Sequence, residues 1–137
     1  MQSSDKWMDP VAIWLFVCAA LVFTMVVLGG LTRLTHSGLS MVDWRPITGW
    51  LPPLDQAVWQ ATFEEYQRFP EYQKRNLGIS LNEFKSIFWF EYLHRLLGRI
   101  IGIAFLMPFL WFVVSKRIGG RLAFWLTALF CLGGLQG

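Results

Sequence analysis

Residues 11–31, VAIWLFVCAALVFTMVVLGGL, are a run of 21 residues without a charged side chain. At 1.5 Å per residue, a helix of this length crosses the hydrocarbon core of a bilayer, which is about 30 Å thick. A cleaved signal peptide is the alternative. However, its apolar run is shorter, the residues before this run include Asp5 and Asp9, and no clear A-x-A cleavage site follows. The run therefore predicts a membrane span that is retained.

The composition of the whole chain also indicates a membrane protein. Of 137 residues, 55% are hydrophobic and 15% are charged, and the mean hydropathy is +0.43. These values exclude a disordered chain, which has low hydrophobicity and high charge. The net charge of +3 comes from scattered side chains without a basic stripe, so we expect no nucleic-acid partner. Cys18 and Cys131 lie in apolar runs, which predicts packed thiols rather than a disulfide or a metal pair.

A second apolar run covers residues 87–114. Its helix is predicted to begin earlier, because Ser80 and Glu83 have the spacing of a capping box in front of it. A helix over 81–115 is about 52 Å long, whereas a span needs about 20 residues, so its first turns stand clear of the bilayer. We expect Pro108 to kink this helix.

A third apolar run, residues 122–137, is 16 residues long and ends with the chain. It is short for a span, and a terminus inside the bilayer leaves backbone groups unsatisfied, so we expect the chain to be a fragment. The three runs predict an all-α integral membrane protein with two complete transmembrane helices, about 11–31 and 87–114, and a truncated third. Residues 32–86 are then an extramembrane segment.

Basic residues give the predicted orientation. The loop 115–121 has three of them and no acid, which places it on the cytoplasmic or matrix side. The N-terminus is then cytoplasmic and segment 32–86 is periplasmic, although that segment carries six basic and six acidic residues. The N-terminal residues are not Arg-rich, so a bacterial inner membrane is favoured over the mitochondrial inner membrane.

The outer segment is predicted to form an extracytoplasmic helical cap. Residues 54–69 have the pattern of an amphipathic helix that lies over the mouth of the bundle and ends at Pro70. The alternative is a packed cap without chemistry. The predicted apolar stripe consists of Leu54, Ala57, Val58, Ala61 and Glu65.

One face of the second span carries the groups that indicate chemistry. Glu91 and His94 are three residues apart and share a helix face, which Gly98 and Gly102 continue. Such a face suits a flat macrocycle, because an imidazole can bind iron and glycines let a ring approach. Two alternatives stay open: helix packing through the GxxxG pair with a hydrogen-bonded histidine, and a proton relay. A zinc site is not expected, because the chain has two histidines and no cysteine lies nearby.

Three further side chains near the span ends are candidates for binding. Arg95 and Arg99 are four residues apart and could hold carboxylates such as haem propionates. Alternatively Arg95 snorkels to the outer surface, while Arg99 lies deeper and requires an anionic partner. His36 follows the first span and could be a second ligand, but we favour a solvated loop histidine.

Several sequence motifs occur along the chain. They are GGLTRLTHSGLSM at 29–41, WRP at 44–46, GWLPP at 49–53, FK at 84–85, FWFEYLHR at 88–95 and GGLQG at 133–137. In their order and spacing, from about residue 11 to the end, they resemble the haem A synthase family. The resemblance implies an integral membrane oxidoreductase that converts the C8 methyl of haem O to a formyl group, making haem A for terminal oxidases.

The resemblance also implies an architecture. The family has eight spans in two similar four-helix halves, each with a pair of histidines that face a haem. Residues 1–137 would then be an incomplete N-terminal half-bundle without its fourth helix and partner histidine, and haem b would belong to the missing C-terminal half. Such a fragment is expected to be inactive alone. Its partners would be the lipid bilayer, haem O synthase, the assembling terminal oxidase and a second copy in a homo-oligomer.

By the same resemblance, His94 is the axial ligand of the substrate haem iron and Glu91 is the catalytic acidic residue of the Glu-x-x-His-Arg motif. Glu91 would accept a proton or stabilise positive charge, and burial can raise a carboxyl pKa into a useful range. No cysteine lies between residues 19 and 130, so the chain resembles the branch without the outer-loop cysteine pair. Rival functions are a haem-b electron-transfer subunit and a non-catalytic membrane assembly protein. The residues expected to contact haem are His94, Arg95, Gly98, Arg99 and Gly102.

Overall fold

The computed structural model describes residues 9–43 and 49–136, and within these ranges the chain forms helices and no strand. This confirms the predicted all-α class. The predictions that involve Asp5, Trp44, Arg45, Pro46 and Gly137 lie outside the described residues. The helices are α1 (Pro10–Leu34), α2 (Gln56–Gln67), α3 (Pro70–Arg75), α4 (Leu81–Val114) and α5 (Gly120–Gln136).

Two of these helices, α1 and α4, are long and apolar enough to cross a membrane. In their most apolar windows only 17% and 11% of the residues are buried within the chain, whereas the core helix of a soluble protein is mostly buried. These two helices are candidate membrane spans, consistent with the predicted all-α membrane protein. Helix α5 has 17 residues, which is short for a span, as expected.

The start of α4 agrees with the sequence prediction in atomic detail. The Ser80 backbone N–H donates to Glu83 Oε2 at 2.7 Å, and the Glu83 N–H donates back to Ser80 Oγ at 3.3 Å. This reciprocal pair is the predicted capping box, and it satisfies two donors that the first turn of a helix leaves free. The helix ends at Val114, one residue before the predicted end.

The contacts divide the chain into two compact units. The cap unit is residues 26–96, and the span unit consists of residues 9–25 and 97–136 of the described chain. Helices α1 and α4 contribute to both units.

The span unit has a small core at which α1, α4 and α5 meet. In it, Trp14 Nε1 donates to the carbonyl of Ala104 at 2.9 Å. That carbonyl lies four residues before Pro108, which has no N–H to donate to it, so the indole supplies the bond that the proline removes. Cys18 is buried here as predicted, but the prediction that Cys131 is packed is wrong, because this residue of α5 is exposed. The buried residues are Val11, Trp14, Cys18, Phe112, Ile118 and Leu126.

The cap unit has an aromatic core between α2 and the first turns of α4. Its rings are in contact, with centroids 4.9 Å apart for Trp59 and Phe88 and 5.1 Å for Tyr66 and Phe84. Burial raises the pKa of the Tyr66 phenol above its usual value. The buried residues are Trp59, Phe63, Tyr66, Phe84, Phe88 and Tyr92.

Two predictions about the cap helix are wrong. The predicted stripe does not face the core: Leu54 is 80% exposed and Val58 is 46% exposed. The face that packs carries the larger aromatic rings, because they bury more apolar area than Ala or Val at the same helical spacing. Pro70 does not end this helix either. Helix α2 ends at Gln67, and Pro70 is the first residue of α3, where its missing N–H costs nothing.

Candidate functional site

The carboxylate of Glu91 is a buried polar group of the cap unit that accepts three hydrogen bonds. Glu91 is 6% exposed. Its Oε2 accepts hydrogen bonds from Ser40 Oγ at 2.7 Å and from the Met41 backbone N–H at 2.9 Å. Its Oε1 accepts one from Arg95 Nη2 at 2.5 Å. These three donors, one of which is the Arg95 guanidinium, offset the cost of burying the carboxyl group.

The chain after α1 delivers two of these donors by a strained turn. His36 has φ 50° and Leu39 has φ 65°, in the left-handed region that costs a non-glycine residue about 1–2 kcal/mol. Ser37 follows His36 and Ser40 follows Leu39, and both serines are fully buried. The Ser37 N–H donates to the Thr32 carbonyl at 3.0 Å. The turn folds the chain back so that residues 40 and 41 reach α4.

Arg95 completes the carboxylate site. Besides its ion pair with Glu91, its Nη2 lies 3.4 Å from the carbonyl of Met41. Its side chain is 20% exposed, so the alternative in which Arg95 snorkels to the outer surface is wrong. The guanidinium instead joins the helix to the loop that carries Met41.

His94 lies one turn along α4 from Glu91 and packs against α1. A Cβ built on Gly29 would be 3.0 Å from His94 Nε2, closer than nearly all real Cβ contacts. A glycine at position 29 is therefore what lets the imidazole lie against the helix backbone. The same test at the next residue, Gly30, finds no atom within 4 Å.

The donor chemistry of this region fits an iron held in a macrocycle better than a bare ion. His94 offers one half-buried imidazole, a good axial ligand in its neutral form. In the described ranges, by contrast, no group of three or more His, Cys, Asp or Glu side chains could hold a metal ion. A macrocycle brings its own four nitrogen ligands, so a single histidine suffices on this side.

The other predicted haem contacts on α4 have different surroundings. Gly98, Arg99 and Gly102 follow on α4 in the span unit, where Gly98 packs against Met25: a Cβ at residue 98 would lie 3.2 Å from Met25 Cε. At Gly102 no described atom lies within 4 Å of a Cβ, so the GxxxG pair is used for packing within the described chain at its first glycine only. Arg99 is half-buried.

His36 is exposed, in agreement with the favoured alternative of a solvated loop histidine. Its Nδ1 lies 3.3 Å from Arg75 Nη1, and its carbonyl accepts from Asn76 Nδ2 at 3.4 Å.

Ser40 and Met41 are site residues that the sequence predictions missed. They lie in the motif GGLTRLTHSGLSM, yet nothing in its spacing assigns them to Glu91, which is 51 and 50 residues away in sequence. A backbone N–H carries no residue signature at all.

Comparison with known proteins now decides the family. Residues 12–137 match the profile of the family described as cytochrome oxidase assembly protein. The chain belongs to this family. Its members include curated relatives named haem A synthase, so the predicted resemblance to haem A synthase is confirmed.

The relatives cover nearly all of this chain, whereas the chain covers about a third of theirs. The haem A synthase of Nitrosospira multiformis is 59% identical over 93% of this chain and 36% of its own length. Those of Nitrosomonas eutropha and Parvibaculum lavamentivorans are 53% and 52% identical, over 98% and 100% of this chain and 38% and 40% of their own lengths. No solved structure matches the chain.

Proposed function

We propose that this chain forms a haem site of a haem A synthase, an integral membrane oxidoreductase that converts the C8 methyl of haem O to the formyl group of haem A. With water as the oxygen source, this conversion takes four electrons from the methyl carbon and releases four protons, so it requires an external electron acceptor. The observation that carries the proposal is the buried Glu91 carboxylate, held by Ser40, Met41 and Arg95 and followed one turn later by His94. The haem A synthase relatives named above support it.

His94 is the residue that would bind the iron of the substrate haem. Its imidazole rests against the α1 backbone at Gly29, which fixes one side of the ring. The second axial ligand and a haem b would lie in parts of a haem A synthase to which this chain does not correspond. The haem contacts of Gly98, Arg99 and Gly102 stay predictions of the resemblance.

Of the two roles predicted for Glu91, charge stabilisation fits the geometry better than proton acceptance. Taking up a proton would neutralise the carboxylate and remove the charge that pairs with the Arg95 guanidinium. As a fixed anion in a site of low dielectric, it stabilises positive charge that develops at the edge of the macrocycle during oxidation. Arg95 and Ser40 act through Glu91 as positioning residues.

We also propose a location and partners. The basic loop between α4 and α5 points to the cytoplasm of a bacterial cell, which puts the N-terminus on the same side and segment 32–86 in the periplasm. A haem A synthase there would receive haem O from haem O synthase and supply a terminal oxidase during its assembly. A homo-oligomer remains part of the proposal.

A chimera tests the activity. The aligned segment of the Nitrosospira multiformis enzyme is replaced by this chain, and the chimera is expressed in a bacterial host that makes haem O. We expect haem A, detected by pyridine haemochrome spectra and pigment chromatography. In the chimera, His94→Ala should lose haem from this site. Glu91→Gln should retain haem but lower conversion by a factor of about 10²–10³, as when one transition-state charge partner is removed.

Glu64→Gln is the matched control, because it also removes one carboxylate charge from the cap unit but lies on an exposed face of α2. It should convert haem O at the rate of the unmodified chimera. Stoichiometric haem b without any modified haem would instead favour an electron-transfer subunit. A chimera without haem absorbance would favour a non-catalytic assembly protein.

A further inference from the structure

The cap unit contains an open polar cavity, and Glu91 is not among its lining residues. Its volume is about 290 Å³, several times the roughly 30 Å³ that one water molecule occupies in the liquid. The cavity lies between the C-terminal end of α1, the turn that follows it, and α3. The lining residues are Thr32, Arg33, His36, Gly38, Leu39, Glu71 and Arg75.

The charges around this cavity are mainly positive. Arg33 and Arg75 each contribute a guanidinium, and His36 contributes an imidazole. The single carboxylate, on Glu71, is already engaged by Arg75, whose Nε lies 3.6 Å from its Oε1. The Arg33 guanidinium is thus not balanced by an acidic residue of the lining, which favours an anionic ligand.

The backbone holds these groups in place at some cost. His36 keeps its left-handed conformation, and both its ring and its carbonyl are contacted by residues 75 and 76. The carbonyl groups at the end of α1 would repel an anion. They are already occupied, because the Leu31 carbonyl accepts from the Thr35 N–H and the Thr32 carbonyl accepts from the Ser37 N–H.

The position of the cavity along α1 indicates which anion it meets. It lies at the end of a helix that is apolar enough to span the membrane, next to Leu34 and Leu39, which are 77% and 65% exposed. In a bilayer such a position is at the depth of the lipid headgroups. Apolar side chains beside a cationic cavity match a ligand with an acyl chain and a phosphate.

We propose that this cavity binds a phosphate group through Arg33, Arg75 and His36. The inference does not depend on the haem chemistry, and it holds for a lipid headgroup or for free phosphate. Arginine binds phosphate with paired N–H donors, and the imidazole supplies a further donor when its ring nitrogen is protonated.

The two histidines of the chain permit a direct test. With ¹⁵N-histidine labelling, the purified chain in a neutral detergent gives imidazole NMR signals from His36 and His94 alone, and a His94→Gln variant assigns them. At constant pH, inorganic phosphate is titrated in one arm and phosphatidylglycerol in the other. We expect saturable shifts of the His36 signal and none of the His94 signal.

Variants decide whether the cavity is responsible. Arg33→Gln/Arg75→Gln should raise the apparent Kd at least about fivefold, a modest factor because exposed charge pairs are individually weak. The control Arg68→Gln/Lys74→Gln removes the same charge from exposed positions of the cap unit outside the cavity, and it should leave Kd unchanged.

The two arms separate the sources. Shifts with both ligands identify a general phosphate site, and shifts with phosphatidylglycerol alone identify a lipid headgroup site. An unmoved His36 signal in both arms, or equal weakening by the control pair, overturns the proposal.

Discussion

The cap unit and the span unit bury aromatic side chains for different purposes. In the cap unit, six aromatic rings form a core around the fully buried Tyr66 and Phe84, and the polar groups beside it are bonded across the loop and helices. In the span unit the core is small, and large side chains such as Phe16 and Phe124 are 77% and 67% exposed. The cap unit therefore contains its own folding core, whereas the span unit has apolar faces suited to lipid or to other helices.

The same difference determines where chemistry is placed. The buried charges of Glu91 and Arg95 lie in the cap unit, where a loop can bring backbone and hydroxyl donors to them. In the span unit, Pro108 leaves the carbonyl of Ala104 without its helical N–H donor. The indole N–H of Trp14 donates to this carbonyl instead. In both units a residue that is distant in sequence supplies a hydrogen bond to a polar group of α4.

The largest expected effect comes from emptying the core of the cap unit. Phe84→Ala removes a fully buried ring that touches Tyr66 and Phe63, and should lower the free energy of unfolding by about 3–5 kcal/mol. Phe16→Ala makes the same change at a position that is 77% exposed, and it should cost far less. Far-UV circular dichroism during denaturation in detergent measures both. Equal losses would mean that the two units do not differ in this way.

The sequence predicted those features of the two units that depend on nearby residues. The capping box of Ser80 and Glu83 is readable because both partners lie within one helical turn. The spans are readable because their length and apolarity are local properties. The sequence predicts the wrong packing face for the cap helix, because its small apolar residues and its aromatic residues both repeat at helical spacing. The packing partner on α4, rather than the period, decides between them.

In the candidate site, too, the residues that are close in sequence could be predicted and their distant partners could not. Glu91, His94 and Arg95 are recognisable as a cluster on one helix face, because charged groups near a span are costly and rare. Their partners are not recognisable. Ser40 and Met41 reach the carboxylate only after a left-handed turn at Leu39, and no residue preference would suggest a leucine there.

A smaller effect is expected at the proline of the span unit, and a double-mutant cycle isolates it. Trp14→Phe removes the donor to the Ala104 carbonyl and should cost about 1–3 kcal/mol of unfolding free energy. Pro108→Ala restores a backbone N–H that can bond to the same carbonyl. In that background Trp14→Phe should cost at least about 0.5 kcal/mol less, a coupling typical of residues that share a partner.

Trp125→Phe is the control for the loss of an indole, because Trp125 is exposed on α5. It should change the free energy of unfolding little in either background. If Trp14→Phe cost the same with and without the proline, the indole would stabilise the span unit by packing alone. The carbonyl would then have no part in the difference between the two units.

The smallest expected effect is the change in stability on replacing glycine with alanine in α1, and it should differ between the neighbouring residues Gly29 and Gly30. Gly30→Ala meets open space, so it should stabilise the helix by up to about 1 kcal/mol, the usual difference in helix propensity. Gly29→Ala makes the same change in propensity but puts a methyl group 3.0 Å from His94 Nε2, so the ring must move and the gain should be lost. The ¹⁵N signals of the His94 imidazole should shift in Gly29→Ala and stay in place in Gly30→Ala. Equal stabilisation by both changes, with an unmoved His94 signal, would show that the imidazole does not rest on Gly29. The position of the proposed iron ligand would then depend on α4 alone, and the cap unit would preorganise Glu91 but not His94.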